Sequence, residues 1–257
     1  LISGKTMNDL GIKIHPVNFT GVYTSPDEGP FSREEYGDHR DDGSPVVNGA
    51  TQKMIEAVKL FSNDKISVVD FGGGGGKMYS TLKQETDKQL DYSIIELPGV
   101  KKDLGYEVSY YSSFDEIDKD VDIVYSDATL HLTRYPAADI IRNICKLNPS
   151  FIVLNRSILF FHSNSNSDIR DKSFYTWVPA QKNYYNIIEL TEYENIFQAE
   201  GYDLMCRTFT QRLDNSPPRQ LFQIEGRVIN DPVVTYFDHV FKKKEPPSLY
   251  LDNLQEK

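Results

Sequence analysis

The sequence predicts an α/β fold: a seven-stranded, mostly parallel sheet with helices on both faces, a C-terminal antiparallel hairpin and an irregular N-terminal lid. Three observations predict it. From residue 49 onward, short apolar runs alternate with segments of helical period, the pattern of a parallel sheet wrapped by crossover helices. The first of those runs, Ile66 to Phe71, breaks into five consecutive glycines and then into a helical segment. Before residue 49, Gly, Pro, Asp and Ser recur too often for either period to persist.

The elements follow in order. Met54, Ile55, Val58 and Phe61 fall at helical spacing, so a helix is expected from Gly49 to Phe61, closed by Ser62-Asn63-Asp64. Strands are expected at Ile66–Phe71, Tyr92–Leu97, Glu107–Tyr111, Val121–Tyr125 and Phe151–Leu154. Helices are expected at Met78–Glu85 and through Ile140, Ile141 and Ile144. Residues 157–188 are long for a bare connection, so they are expected to form a functional loop or a small inserted element on the substrate side. Thr191 and Glu194 fit a capping box opening a helix to Gln198, and Gly201 supplies its stop. The final hairpin is placed at Asp203–Arg212 and Gln220–Ile229, around Asn215-Ser216-Pro217-Pro218. The expected organisation is a lid at 1–48, one catalytic domain at 49–240 and a polar, solvated tail at 241–257 that holds Lys242-Lys243-Lys244 and Pro246-Pro247.

Composition sets the outer limits. At 257 residues, with 39% hydrophobic and 26% charged residues, the chain can bury one substantial core. A net charge of -10 disfavours a nucleic-acid partner, because that affinity comes from Lys and Arg neutralising phosphates. No apolar run is long enough to span a bilayer, and Leu1 to Asn8 lacks the charged-then-apolar layout of a signal peptide. A soluble, cytoplasmic protein is therefore expected. Cys145 and Cys206 lie far apart with no zinc or dithiol spacing, so two reduced thiols and no metal site are expected. A first residue of Leu, not Met, makes a trimmed start or one piece of a longer protein the expectation.

The glycine run carries the chemistry. A flexible linker is the alternative reading, but linkers do not follow a buried-strand pattern and lead straight into a helix. A phosphate-cradling loop of the Walker type needs Gly, four residues, Gly-Lys and a hydroxyl residue. Alignment on Gly76-Lys77 puts Phe71 at the first position and Met78 at the last, so it fails. The dinucleotide fingerprint is weakened, since a count from Gly72, Gly73 or Gly74 brings its third glycine to Lys77, Met78 or Tyr79.

What fits is Asp-x-Gly-x-Gly-x-Gly, filled by Asp70, Gly72, Gly74 and Gly76. This is similar to the first motif of class I S-adenosylmethionine-dependent methyltransferases, and the resemblance implies a Rossmann-like fold. It implies that the glycine loop passes beneath the methionine part of the cofactor and that Asp70 answers its ammonium, directly or through water. Glu96 ends the next strand as the expected acceptor of the ribose hydroxyls, with Leu97 beside it. Many methyltransferases place an acid beside the adenine after the third strand. This chain has Ser112-Ser113 there, which leaves that contact to Ser113 or to the backbone. Asp122 to His131 looks like the family's fourth motif and brings Ser126 to the cofactor.

Methyl transfer to a hydroxyl needs alignment and removal of a proton. His131 is the leading candidate base, because its ordinary pKa lies nearest working pH; packing or capping the following helix is its alternative role. Asp127 is the second candidate, and it could instead orient the acceptor or bind a cation. Arg156 is expected at an anion or sugar, and His162, Tyr175 and Trp177 at the substrate.

From Gly21 to Tyr202 the order of motifs also resembles methyltransferases encoded beside bacterial surface-polysaccharide genes. The matching residues are Asp70-Phe71-Gly72-Gly73, Ile95-Glu96-Leu97-Pro98, Tyr110-Tyr111, Asp127 to Leu132, Asn155-Arg156-Ser157 and Trp177-Val178-Pro179. This resemblance implies O-methylation of a saccharide or another small polar acceptor. Two other readings stay open: a noncatalytic cofactor-binding module of a larger polysaccharide enzyme, and an NAD-dependent sugar-modifying oxidoreductase. The oligomeric state is not legible.

Overall fold

The computed structural model describes residues 49–96, 107–133, 135–162, 173–178, 183–210, 222–224, 227–229 and 232–245. The expected lid at 1–48, Leu97 and the end of the tail lie outside the described residues. In chain order the elements are α1 (Gly49–Lys59), β1 (Lys65–Phe71), α2 (Lys77–Glu85), β2 (Gln89–Ile95), β3 (Val108–Tyr111), β4 (Ile123–Asp127), α3 (Ala137–Lys146), β5 (Phe151–His162), β6 (Ser173–Val178), β7 (Asn183–Glu189), α4 (Leu190–Ala199), β8 (Tyr202–Thr210), β9 (Phe222–Ile224), β10 (Arg227–Ile229) and β11 (Pro232–Lys243).

Seven strands form one path in the order β3-β2-β1-β4-β5-β11-β8. The pairs from β3 to β5 are parallel, and β11 runs antiparallel to both β5 and β8. The expected Rossmann-like, mostly parallel sheet closed by an antiparallel hairpin is present, with nine strands where seven were expected, because β6 and β7 join beside β5 off this path. Its two faces bury separate cores. α1 and α2 cover Val68, Ile94, Ile123 and Val153, while α3 and α4 cover Val69, Val124, Ile152 and Leu154. Alternate residues of one strand thus serve opposite faces, and strands buried on both sides read as continuous apolar runs. In α3, Ala137, Ile140, Ile141, Ile144 and Cys145 are buried, the i, i+3, i+4, i+7, i+8 stripe of a core-facing helix.

Several boundaries differ from expectation, each for a physical reason. The strand expected at Val121–Tyr125 begins two residues later and continues to Asp127, so the polar residues past its apolar run are still paired, Asp127 opposite Asn155. β5 runs on to His162 because β11 pairs along its whole length. The described residues of 157–188 are strand: β6 and β7 form an antiparallel hairpin, with β7 parallel to the far end of β5 at Leu159 and Phe160. Asn186 of β7 donates to the Tyr135 carbonyl at 2.6 Å and ties this hairpin to the segment after β4.

The capping box is displaced as well. Glu189, not Thr191, is the N-cap of α4, and its carboxylate accepts from the Glu192 amide at 2.8 Å. Glu194 instead turns to Arg207 and His239. The closing hairpin pairs β8 with β11, while the described residues of the segment expected to be its second strand form the small β9–β10 pair. β11 continues through Lys243 with Phe241 buried, so the limit drawn at 240 falls inside the last strand of the sheet, and Lys242 and Lys243 belong to that strand. Among the described residues, no helix is long and apolar enough to cross a membrane.

Candidate active site

The parallel strands end along one edge, where open α/β sheets bind their ligands. Their register there is continuous. Ile95, Phe71 and Ser126 stand side by side, joined by Tyr111 on one flank and Leu154 on the other, and β4 and β5 pair one residue further at Asp127 and Asn155. Backbone bonds continue one residue further: Gly72 donates to Ile95, Glu96 to Tyr111 and Ala128 to Asn155, at 2.8 to 3.0 Å. This extra row fixes Glu96, Gly72 and Asp127 at the same level across three neighbouring strands.

Asp70 lies two residues before Gly72 and is buried, 2% exposed. Its carboxylate accepts a hydrogen bond from the Tyr92 hydroxyl at 2.8 Å. Burial pushes its pKa up to about 7; the Tyr92 bond pulls it partly back, and the charges of Asp127 and Glu96 add to the rise. Sequence reasoning did not single out Tyr92, although a Tyr inside a buried strand needs a partner for its hydroxyl. Tyr92→Phe removes the one lowering contact, so the Asp70 carboxyl is expected to titrate higher still. Carboxyl carbon NMR across pH 5 to 9 checks this, and an unmoved midpoint would contradict it.

The glycine loop is shaped by its surroundings. At Gly72, φ is +77° and a Cβ would overlap the Thr129 side chain, so this position needs glycine on two grounds. Thr129 is itself pinned, its hydroxyl donating to the Asp127 carbonyl at 3.0 Å. Gly74, with φ +52°, has nothing within 4 Å of where a Cβ would stand. Its amide donates to a Glu96 carboxylate oxygen at 3.1 Å, and its carbonyl accepts from the Tyr110 hydroxyl at 3.2 Å. Gly76, with φ 76°, is the N-cap of α2.

Of the remaining expected residues, Ser126 holds the sheet together: its buried hydroxyl donates to the Phe71 carbonyl at 2.9 Å across β4 and β1. Ser113 lies at the start of a short 3-10 turn, Phe114–Glu116, and its hydroxyl donates to Glu116 at 3.2 Å. Phe114 packs against Phe71 with ring centroids 5.0 Å apart and brings an apolar surface to the same edge.

Asp127 is gripped by Arg156, whose Nε and Nη2 donate to its two carboxylate oxygens at 2.6 and 2.5 Å. Such a bidentate pair fixes the planes of both groups. Arg156 therefore meets a carboxylate of its own chain, where sequence reasoning had placed an external anion or sugar. Ala128 (φ 54°), just past the end of β4, and Arg156 (φ 49°), within the register shift of β5, both hold left-handed backbones that residues with a Cβ rarely adopt. Strain of this kind collects at functional edges.

His131 follows in a one-turn 3-10 helix, Leu130–Leu132, and is 4% exposed, with its ring 6.2 Å from that of Tyr236. Burial, with the Arg156 cation nearby, holds its pKa down to about 3, so the imidazole is neutral at working pH and weakly basic. His162 falls on β5 and Tyr175 and Trp177 on β6; their side chains, like Leu97, lie outside the described residues.

No protein-family model matches the sequence, and no curated protein does. Among solved structures, the chain is similar in fold to the 1,6-didemethyltoxoflavin-N1-methyltransferase of Burkholderia thailandensis, which holds 1,6-didemethyltoxoflavin and S-adenosylhomocysteine. The two are 13% identical with a TM-score of 0.48, over 78% of this chain and 80% of that one. It is also similar to the YcgJ protein of Bacillus subtilis, at 12% identity and TM-score 0.49 over 77% of this chain and 99% of that one. The N-terminal domain of EvdMO1 with SAH bound gives 9% identity and TM-score 0.48, over 78% and 83%. These likenesses concern the fold alone.

Proposed function

We propose that the protein is an S-adenosylmethionine-dependent methyltransferase acting on an oxygen of a small polar acceptor, a saccharide hydroxyl being the class implied by the sequence resemblance. The observation that carries this reading is the pair of carboxylates flanking the glycine loop. Asp70 lies beneath the loop, Glu96 ends the neighbouring strand, and the open space at Gly74 lies beside Glu96. A buried acid suits an ammonium, and a carboxylate held by one oxygen on the Gly74 amide can still take a ribose diol on the other. The residues therefore fit the group. The dinucleotide reading is less favoured, because its all-parallel strand order 3-2-1-4-5-6 lacks an antiparallel strand beside β5, where this chain has β11.

When bound, S-adenosylmethionine supplies a methyl group on a sulfonium, ready for in-line displacement. The chain's own residues then have three tasks. Asp70 and Glu96 orient the donor, the β4 and β5 ends present the acceptor, and a base receives the hydroxyl proton. Asp127 is the better base candidate: it is partly exposed at the edge, and Arg156 fixes the plane of its carboxylate. His131 is buried, 4% exposed, out of reach of an acceptor hydroxyl, and its role in this reading is to pack against Tyr236.

Calorimetry with S-adenosylmethionine and S-adenosylhomocysteine is the direct test, and no binding of either would sink the proposal. For the base, labelled S-adenosylmethionine and a panel of saccharides and small hydroxyl compounds provide the assay. Asp127→Asn is expected to slow transfer by roughly 10²- to 10⁴-fold, the usual range for a general base. His131→Gln is expected to leave the rate within about fivefold. It should also make the protein less acid-sensitive. A His with a depressed folded pKa contributes stability that is present above its unfolded value near 6.5. That contribution is lost as pH falls towards 3, because the unfolded chain takes up the proton first. A His131→Gln enzyme as slow as Asp127→Asn would reverse the assignment.

A further inference from the structure

We infer that Asp238 is a positioning residue that sets the Arg156–Asp127 pair, and this inference rests on the proposed function for its catalytic meaning. Between β5 and β11 the pairing shifts register: Phe237 stands opposite Ser157, but His239 stands opposite Leu154. Two residues of β5, Asn155 and Arg156, thus face the single residue Asp238, which makes a β-bulge. Bulges re-aim side chains and concentrate next to active sites. Here the bulged strand turns at Arg156, whose φ is +49°.

A left-handed backbone is disfavoured for a residue with a Cβ, so something must hold Arg156 in it. Asp238 does. It is buried, and one of its carboxylate oxygens accepts the Arg156 amide at 2.8 Å. The other oxygen takes the Lys53 ammonium of α1 at 3.0 Å and the Thr208 hydroxyl of β8 at 3.4 Å. The side chains of Lys53 and Asp238 are 14% and 5% exposed, so the pair is desolvated and each charge depends on the other.

Mechanical continuity follows. α1 and β8 anchor Asp238, Asp238 anchors the Arg156 main chain in its left-handed form, and that form aims the guanidinium at Asp127. The proposed base is thereby positioned from the opposite side of the sheet's antiparallel seam, through contacts that reach neither donor nor acceptor. Neither Lys53 nor Asp238 belongs to a sequence motif. The available signal was a lone acid within the apolar run Tyr236-Phe237-Asp238-His239-Val240-Phe241, a place where an unpaired charge is costly.

The test compares two variants in which no charge is left buried alone. Lys53→Met with Asp238→Asn keeps an acceptor for the Arg156 amide, whereas Lys53→Met with Asp238→Leu removes it. The readout is the Nε–H resonance of Arg156, assigned by its loss in Arg156→Lys. A bidentate pair holds this proton shifted and protected from exchange with water. The Asn variant is expected to retain the protected resonance, and the Leu variant to lose it while keeping the far-UV dichroism of a folded chain, with a thermal midpoint lowered by the unpaired Arg156 amide. Affinity for S-adenosylhomocysteine should stay within about threefold in both. The proposal is overturned if the Leu variant keeps the resonance, if the Asn variant loses it equally, or if the Leu variant fails to fold while the Asn variant folds, since Asp238 would then be structural. Wild-type protein that does not bind S-adenosylhomocysteine would sink the proposed function instead, and the resonance would still report on Asp238.

Discussion

Asp70→Asn is expected to make the protein more stable at pH 8 while weakening its hold on S-adenosylhomocysteine. The folded carboxyl titrates near 7 and its unfolded counterpart near 3.8. Between those values the folded chain binds a proton that the unfolded chain has released, so stability falls as pH rises through that window. About three pKa units at ~1.4 kcal/mol each put the cost of the buried charge on the order of 4 kcal/mol. Asn carries no charge at any pH, and its carbonyl can still accept the Tyr92 hydroxyl. Urea midpoints of the two proteins should therefore diverge from pH 5 to pH 8, in favour of the variant. The difference between proteins is the quantity to read, because His131 titrates in the opposite sense below 6.5. For the ligand the sign reverses: an ammonium favours the ionised acid, so wild-type affinity should rise by up to about tenfold per pH unit towards 7 and then level off. The variant should bind weakly with a flat profile. Equal affinity and an equal pH profile in both proteins would remove Asp70 from the cofactor site.

A stabilising change that damages binding is what a functional acid in a buried place should produce, and it bears on how the sequence could be read. Local pattern was sufficient wherever one period dominated a segment. The α3 stripe, the buried β1 run before the glycines and the acid at the end of β2 all stand where they were expected. It failed where tertiary pairing decides. β11 has an apolar run, but its lysines resemble a tail until β5 and β8 are known to flank it. The cap of α4 moved from Thr191 to Glu189 because β7 delivers the chain to the helix from a paired strand. At the site, the glycines and acids were legible as a motif, since each has a local reason for its type. Tyr92, Thr129, Lys53 and Asp238 were not, because each acts on a residue distant in sequence. The type of Arg156 is legible as that of an anion-binding fork, but its pairing with Asp127 of β4 is not, because the two meet only through the sheet.

The glycine loop separates folding from binding within three residues. Gly72→Ala is expected to act mainly through stability. A side chain at φ +77° costs about 1–2 kcal/mol, and the added Cβ would overlap Thr129. That side chain is short, branched and bonded to the Asp127 carbonyl, so it cannot swing aside as a long flexible one would. Overpacking of this kind adds about 1–3 kcal/mol, and the strain is delivered to the turn that follows Asp127. Gly74→Ala meets no protein atom, so its stability cost is limited to about 1–2 kcal/mol for its φ of +52°. Its methyl group, however, projects into the space beside Glu96 that the proposed donor would fill. Thermal unfolding and S-adenosylhomocysteine calorimetry on both variants should therefore rank them oppositely. Gly72→Ala should unfold several degrees lower than Gly74→Ala, while Gly74→Ala, still folded, should lose on the order of tenfold or more in affinity, one ~1.4 kcal/mol step. If Gly74→Ala binds as wild type does, the ligand does not pass over that part of the loop, and Glu96 would have to reach it from the Tyr110 side.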